Sequence, residues 1–379
     1  MRMIINKKRK QISAGLLFFI ALVFAGCEKP AEVDKPENPA PGHLFKRSFF
    51  VFGTILDVLV WTPSTDTQPL EDALDQVEQT LNAMHHRWHA WKPGRLQEIN
   101  QALRSGRTMA LQAEEARFLT RVKDLSLTSQ GFFDPAIGEL VHLWGFHADE
   151  YPLSSPPPSP EAIKDWLQHR PGMQDLILEN GMARSPNPRI WLDFGGVAKG
   201  LATDVVVDML AASGFRNVIV NAGGDVRVRG KKGQTPWKVA IRSPGKDWGG
   251  PVLGVIESQG NEAIFTSGNY QRYSEYQGQR YAHILDPFTG WPVDTVASAT
   301  VMAANGTLAD AAATAMVVAG WDKWPQVARY MGIDTALLVG EKNRCEMTPA
   351  MATRLKDSTL ACRIRKADTA ATDEQKTKP

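Results

Sequence analysis

Long apolar runs are missing. The one candidate, Gly15 to Val23, is too short to span a bilayer comfortably. A basic excess is missing as well. The 43 Lys and Arg stand against 41 Asp and Glu, net +2, which is not the balance of a nucleic-acid binder. Cysteine is scarce: three in all, so one disulfide is the most the chain can close within itself. No internal repeat is visible, and the glycine turns have neither Walker nor Rossmann spacing. What remains is 379 residues, 43% hydrophobic and 22% charged, ordinary for a globular protein and enough for a large core or two lobes.

The N-terminus reads as a secretory signal. Lys7-Lys8-Arg9-Lys10 precedes the apolar Gly15–Val23, and Phe24-Ala25-Gly26 leads into Cys27. Small residues before a cysteine resemble a bacterial lipobox, with Phe24 where leucine is more usual. Cleavage there would leave Cys27 as a lipidated first residue; the alternative is ordinary signal cleavage with Cys27 incidental. Losing Arg2, Lys7, Lys8, Arg9 and Lys10 takes the charge from +2 to about −3. Residues 27–43, rich in Pro and Glu, cannot bury a core and read as a tether. Glu28 after the cysteine is not the aspartate associated with inner-membrane retention. The expected location is the cell envelope, lipid-anchored and facing the periplasm, with the outer membrane favoured. In an oxidising compartment Cys345 and Cys362 are free to pair, but sequence alone does not show that they do.

The expected folded unit is 44–362, followed by a polar tail, 363–379. Ser48–Val60 reads as a strand broken at Gly53 or as a hairpin. Helical spacing marks Leu70–Trp88, Glu114–Ser129, Ile137–Trp144 and Glu161–His169. Strands are expected at 189–192, 217–221, 237–242, 252–257, 263–266, 298–303 and 335–339, and an Ala-rich helix at Leu308–Gly320. Strands and helices mix without a regular βαβ repeat, so the expected class is α+β.

Two stretches carry chemistry. Trp191-Leu192-Asp193-Phe194-Gly195-Gly196-Val197-Ala198-Lys199-Gly200 reads as strand, glycine turn and helix start. Glycines let backbone approach a ligand, a helix start offers N–H groups to an anion, and Lys199 adds a charge suited to phosphate. The plainer reading is a tight connection whose charges face water. In Asp310-Ala311-Ala312-Ala313-Thr314, a carboxylate and a hydroxyl sit four apart on one helix face, separated only by alanines. Such oxygens suit Mg²⁺. Taken alone, the pair reads first as Asp310 capping its helix with Thr314 bonded back to it. His85 and His89 have metal-pair spacing but no third ligand, and read as surface or packing histidines.

Eight segments in order resemble the ApbE-type FAD:protein FMN transferases, once called thiamine biosynthesis lipoproteins. They are Phe52-Gly53-Thr54, Trp91 through Asn100, Gly131–Pro135, Asp193–Gly200, Asn221–Asp225, Thr266-Ser267-Gly268, His283–Gly290 and Asp310–Thr314. The resemblance spans about Phe49 to Val339. It implies a T-fold-related, ApbE-like arrangement of mixed sheets and packed helices in one two-lobed unit. It implies that FMN passes from FAD to a Ser or Thr of a target protein, with AMP leaving and Mg²⁺ bridging the pyrophosphate. The targets would be membrane-bound or periplasmic electron-transfer proteins.

By the same resemblance, Asp310, Thr314 and the Gly196 carbonyl hold the metal. Phe52, Trp91, Phe132, Phe133, Asp134, Asp193, Lys199 and Ile284 contact FAD. His283, in the right motif for a base, is the catalytic candidate beside Asp310; the alternative is a structural histidine. Ala136 after Asp-Pro and Pro93-Gly94-Arg95 depart from common family residues. An FAD pyrophosphatase and a non-catalytic flavin carrier are the other readings. Lys199→Ala is expected to weaken FAD binding and leave the free protein's stability nearly unchanged.

Overall fold

In Thr54–Thr62 alternate side chains point into the core, and Leu56, Val58 and Val60 are each 1% exposed. That period of two makes a strand, and it pairs antiparallel with His43–Val51. The connection is the two-residue turn Phe52-Gly53, with φ of 53° and 67°. Two positive φ values match the right-handed twist of the strands they join. So the expected break at Gly53 is a hairpin. The computed structural model describes residues 42–366, apart from 149, 246–249, 271 and 342. The signal, Cys27, most of the tether and most of the polar tail lie outside the described residues.

The elements run β1 His43–Val51, β2 Thr54–Thr62, α1 Gln68–Trp88, α2 Arg95–Arg104, β3 Met109–Ala110, α3 Ala113–Thr128, α4 Gly138–Leu143 and α5 Pro160–Gln168. Then follow β4 Ile177–Glu179, β5 Met182–Arg184, α6 Ala198–Ala212, β6 Val218–Ala222, β7 Asp225–Arg229, β8 Lys238–Arg242, β9 Val252–Glu257 and β10 Asn261–Gly268. Last come β11 Tyr273–Tyr276, β12 Gln279–Ala282, β13 Ser298–Ala303, α7 Gly306–Tyr330, β14 Thr335–Val339, β15 Cys345–Met347, α8 Pro349–Arg354, β16 Leu355–Lys356 and β17 Arg363–Ile364. The class is mixed α and β, as expected.

Nine strands form one sheet in the order β1-β2-β6-β7-β10-β13-β14-β15-β17. Its pairs are antiparallel except β15 with β17. One face packs on α1, α6 and α7 through Leu56, Val58, Val220, Phe265 and Val301. In α1 the buried residues Leu70, Leu74, Val77, Leu81, Met84 and Trp88 recur every three or four positions, which is the stripe a helix needs to lie on a sheet. The opposite face, with Val226, Val228, Ile264 and Leu337, packs on a three-stranded sheet, β16-β9-β8. Cys345 and Cys362 are joined, with S–S 2.06 Å.

Three expectations are corrected. Residues 189–192 form no ladder strand: only the bridge between Ile137 and Trp191 is present. The segment is held instead by the Asn100 amide, which donates to Leu192 O at 2.9 Å and accepts from Leu192 N–H at 2.8 Å. A side chain has taken a neighbouring strand's place. The Ala-rich helix starts at Gly306 and, past a break at Gly320 (φ 65°), continues to Tyr330. Beyond 362, Arg363–Ile364 still pairs with Glu346–Met347, so the sheet runs past the expected boundary.

Helices α6 and α7 touch at two glycines. A Cβ on Gly200 would lie 2.3 Å from Gly306 O, with the rest of that peptide close behind. Gly200→Ala should therefore force the helices apart and cost at least about 2 kcal/mol, in the upper part of the range for overpacked cores. Urea melts of the two proteins measure it.

Candidate active site

The two helices that meet at Gly200 and Gly306 also cap each other. Asp204 of α6 accepts from Gly306 N–H at 2.7 Å and Thr307 N–H at 2.9 Å, closing the start of α7. Asp310 of α7 accepts from Gly200 N–H at 2.9 Å, in the first turn of α6. Asn305 caps α7 locally through Leu308 N–H. So Asp310 is a cap, but of the neighbouring helix and not of its own. Thr314 is not bonded back either: its Oγ1 lies 2.9 Å from Ser267 Oγ on β10. A Cβ on Gly196 would meet Thr314 Oγ1 at 3.3 Å, so the glycine backbone closes over this hydroxyl. Asp310, Thr314, Ser267 and the Gly196 backbone thus gather hard oxygens in one place.

Lys199, in the first turn of α6, reaches back to Asp225 Oδ2 and lies 3.7 Å from Asp310 Oδ1. Asp225 is 4% exposed and its other oxygen accepts from Thr266 N–H at 2.9 Å. Burial works against the Lys199 ammonium, but the two carboxylates outweigh it and hold the pKa above the ordinary lysine value. Burial also pushes the Asp310 carboxyl up, opposed by Lys199. One lysine is shared by two buried acids.

The glycine turn is shaped by Asp193. Its Oδ1 accepts from Gly195 N–H at 2.7 Å and its Oδ2 from Trp91 Nε1–H at 2.8 Å. Trp91 is thereby held against Trp191, centroids 4.8 Å apart. Phe52 keeps its positive φ because its N–H donates to His85 Nδ1 at 3.2 Å and its ring meets that imidazole edge-on. His283 Nδ1 lies 3.1 Å from Arg272 O. Desolvation first, and the Arg272 charge second, lower its pKa to about 4, so the imidazole is neutral near pH 7.

Phe52, Trp91, Phe132, Phe133, Asp134, Asp193, Gly196, Lys199, His283, Ile284, Asp310 and Thr314 all line one cavity of about 1070 Å³. Every site residue expected from sequence is therefore on one wall system, although the roles themselves are a separate matter. His85 and His89, dismissed above as surface or packing residues, line it too. So do Asp225, Arg272 and Trp237. Asp225 lay inside a quoted motif without a role, and nothing in sequence separates Arg272 or Trp237 from other surface candidates. Among the described residues no cluster of three or more His, Cys, Asp or Glu has metal-holding geometry. Asp310, Thr314 and Ser267 offer a carboxylate and two hydroxyls, a set that fits Mg²⁺ with its remaining ligands from phosphate and water.

Aromatic walls, a helix start carrying a lysine, and buried oxygen donors define a site of the nucleotide-handling class. The chain belongs to the ApbE family, whose profile matches residues 52–337. It is 38% identical over 348 residues to the FAD:protein FMN transferase of Rhodobacter capsulatus, covering 92% of this chain and 64% of that relative. It is 30% identical to the FAD:protein FMN transferase of Vibrio cholerae, covering 84% of this chain and 91% of that one. Among solved structures, it resembles the ApbE protein of Thermotoga maritima (TM-score 0.73, 27% identity) and the flavin transferase ApbE of Vibrio cholerae (TM-score 0.72, 27% identity). Each match covers 83% of this chain and all of the other.

Two consequences are measurable. The expectation that Lys199→Ala leaves the free protein's stability unchanged does not survive this geometry, because the change strands Asp225 and Asp310 facing each other. It should destabilise the free protein by about 2–4 kcal/mol, near the cost of breaking a buried pair and discounted for the partial exposure of Lys199. Thermal melts without FAD test this.

Asp134 is buried too. Burial, partly offset by the Ala136 N–H, pushes its pKa up to about 7 from 3.8. Its stabilising contribution is therefore fully present below about pH 4 and is lost as pH rises through about 7. The loss has an upper limit of about 4 kcal/mol at ~1.4 kcal/mol per unit. Asp134→Asn should remove that part of the slope, so urea midpoints at pH 5 and pH 8 should differ less in the variant than in the parent.

Proposed function

We propose that this protein transfers the FMN half of FAD to a Ser or Thr hydroxyl of a target protein and releases AMP. The observation that carries the reading is the convergence on one cavity of Lys199, Asp310 and Thr314 with the aromatic walls Phe52, Trp91 and Phe132. Membership of the ApbE family supports the flavin and the transfer chemistry. Mg²⁺, held by Asp310, Thr314 and the Gly196 carbonyl, would neutralise charge on the pyrophosphate.

The chain's own groups then have defined work. Trp91 and Phe132 offer flat faces to the rings of FAD. Lys199, in the first turn of α6, faces the pyrophosphate oxygens with its ammonium. The acceptor hydroxyl oxygen attacks the phosphorus of the FMN phosphate. The bond from that phosphorus to the oxygen bridging to AMP breaks, and AMP leaves with the electron pair. The hydroxyl proton passes to His283, whose imidazole is neutral at pH 7, although a pKa lowered to about 4 makes it a weak base in the free protein. Water in place of the hydroxyl would give FMN and AMP, the hydrolytic reading.

The targets we propose are membrane-bound or periplasmic electron-transfer proteins. The signal and Cys27 support a lipid anchor at the cell envelope, facing that compartment. Among the described residues no helix is long and apolar enough to cross a membrane.

Incubation with FAD and Mg²⁺ separates the readings: AMP only with acceptor means transfer, AMP without acceptor means hydrolysis, and no AMP means a carrier. Calorimetry adds a readout independent of turnover. FAD should bind more tightly with Mg²⁺, and Mg²⁺ more tightly with FAD, by one common factor. Asp310→Ala should abolish that coupling and lower turnover by ~10²–10³-fold, the worth of several kcal/mol of charge stabilisation. Thr314→Val should cost less. Equal FAD affinity with and without Mg²⁺ in the parent protein would sink the metal assignment.

A further inference from the structure

The cavity has an arm that the dinucleotide residues do not explain. Its wall is strand β8 over its whole length, from Lys238 to Arg242, with Trp237 leading in. β8 is the edge of its sheet, which runs β16-β9-β8. Register shows which of its backbone groups are unpaired. Ser258 N–H donates to Trp237 O at 2.8 Å, so 237 and 258 are a hydrogen-bonded pair. Val239 with Ile256 and Ile241 with Gly254 repeat that phase. Lys238 and Ala240 therefore turn their N–H and C=O groups away from β9, and both side chains are exposed.

Facing this edge is the outer face of the large sheet. Leu59 and Ile219 are direct cross-strand partners and both line the cavity. Phe50 and Ile55, partners at the tip of the first hairpin, share that face and are 76% and 59% exposed. Between the two pairs the same face carries the polar row Ser48, Asp57 and Asn221, so they form two apolar patches, one at the hairpin tip and one in the arm. Trp237 is 5% exposed, lines the arm, and its Nε1–H has no hydrogen-bond partner among the described residues. A strand edge with outward N–H and C=O groups and an apolar patch beside it are what an extended peptide needs.

We propose that the open edge of β8 is the docking site for the acceptor protein. An extended segment bearing the Ser or Thr pairs with β8 as an added strand and sets a side chain on the apolar patch of Leu59 and Ile219. This rests on the transfer reading, which requires a protein hydroxyl to reach the same cavity as Lys199 and Asp310. β8, Lys199 and Asp310 line one cavity, so a segment on β8 shares the space in which the transfer would take place.

The probe is a dodecapeptide around the flavin-bearing residue of the acceptor, located by mass spectrometry after transfer. If no flavin-bearing residue forms, the transfer reading has failed before this test begins. Ala240→Pro removes an outward N–H and leaves the β9 ladder intact, a place where an edge strand tolerates proline. It should keep the parent's melting temperature and FAD affinity and raise the peptide KM by roughly tenfold, with AMP release to water unchanged. A folded variant with parental peptide KM overturns the proposal. Should the variant not fold, peptides N-methylated at single positions carry the same question: loss at every second residue supports strand pairing, and uniform tolerance overturns it. Hydrogen exchange on the full chain gives a third reading. Lys238 and Ala240 amides should become protected only when the peptide is added. Protection without peptide would mean that the chain's own N-terminal segment fills the arm, and the docking proposal would fall.

Discussion

The reciprocal capping of α6 and α7 is the constraint on which the site depends. Each helix lends a carboxylate to the other's first turn: Asp204 to Gly306 and Thr307, Asp310 to Gly200. The exchange requires near-contact of two backbones, and only glycine at 200 and 306 permits it. Once made, it brings the N-terminal turn of α6, with Lys199, against the carboxylate of α7. The metal candidate, the lysine and the glycine turn are therefore placed by the same two hydrogen-bonded caps that hold the core helices together. Stability and chemistry share these atoms, and so substitutions here will rarely affect one without the other.

The electrostatics follow from this closeness. A lone buried carboxylate would be expensive, and two facing each other more so. Lys199 sits between Asp225 and Asp310 and makes the arrangement tenable. Phosphate oxygens arriving at Lys199 would compete with those carboxylates for the same ammonium, while a divalent cation at Asp310 would compete with the ammonium for the carboxylate. Each newcomer frees what the other needs, a physical route to mutual reinforcement of metal and nucleotide.

Much of the fold was legible because it obeys simple periods. Strands at 252–257, 298–303 and 335–339 were read to the residue, since apolar β-branched runs between turn residues have few other uses. The 189–192 segment misled because an apolar run demands a partner but does not say what kind; Asn100 supplied it from a helix. The candidate site was legible mainly through family motifs, and each residue so named lines the cavity. His85 packs, as read, but its partner is the Phe52 turn, a contact that no spacing along α1 encodes. Lys199 lies on the cavity wall, but its weight in stability was not legible, because its partner Asp225 arrives from another strand. The β8 edge was invisible, because an unpaired strand side is a property of the sheet and not of the strand.

The Cys345–Cys362 bond closes a segment that contains α8 and β16, and β16 is the strand on which β9 and then β8 are laid. The bond thus acts as a clasp on the panel that forms one wall of the cavity. Such bonds persist in oxidising compartments and not in a reducing cytosol. A newly made chain would hold that panel by packing alone until it met an oxidant. Under the proposed export, fastening the wall and leaving the cytosol would be one event, and a chain kept in a reducing compartment would carry the helices α6 and α7 with an unlatched side.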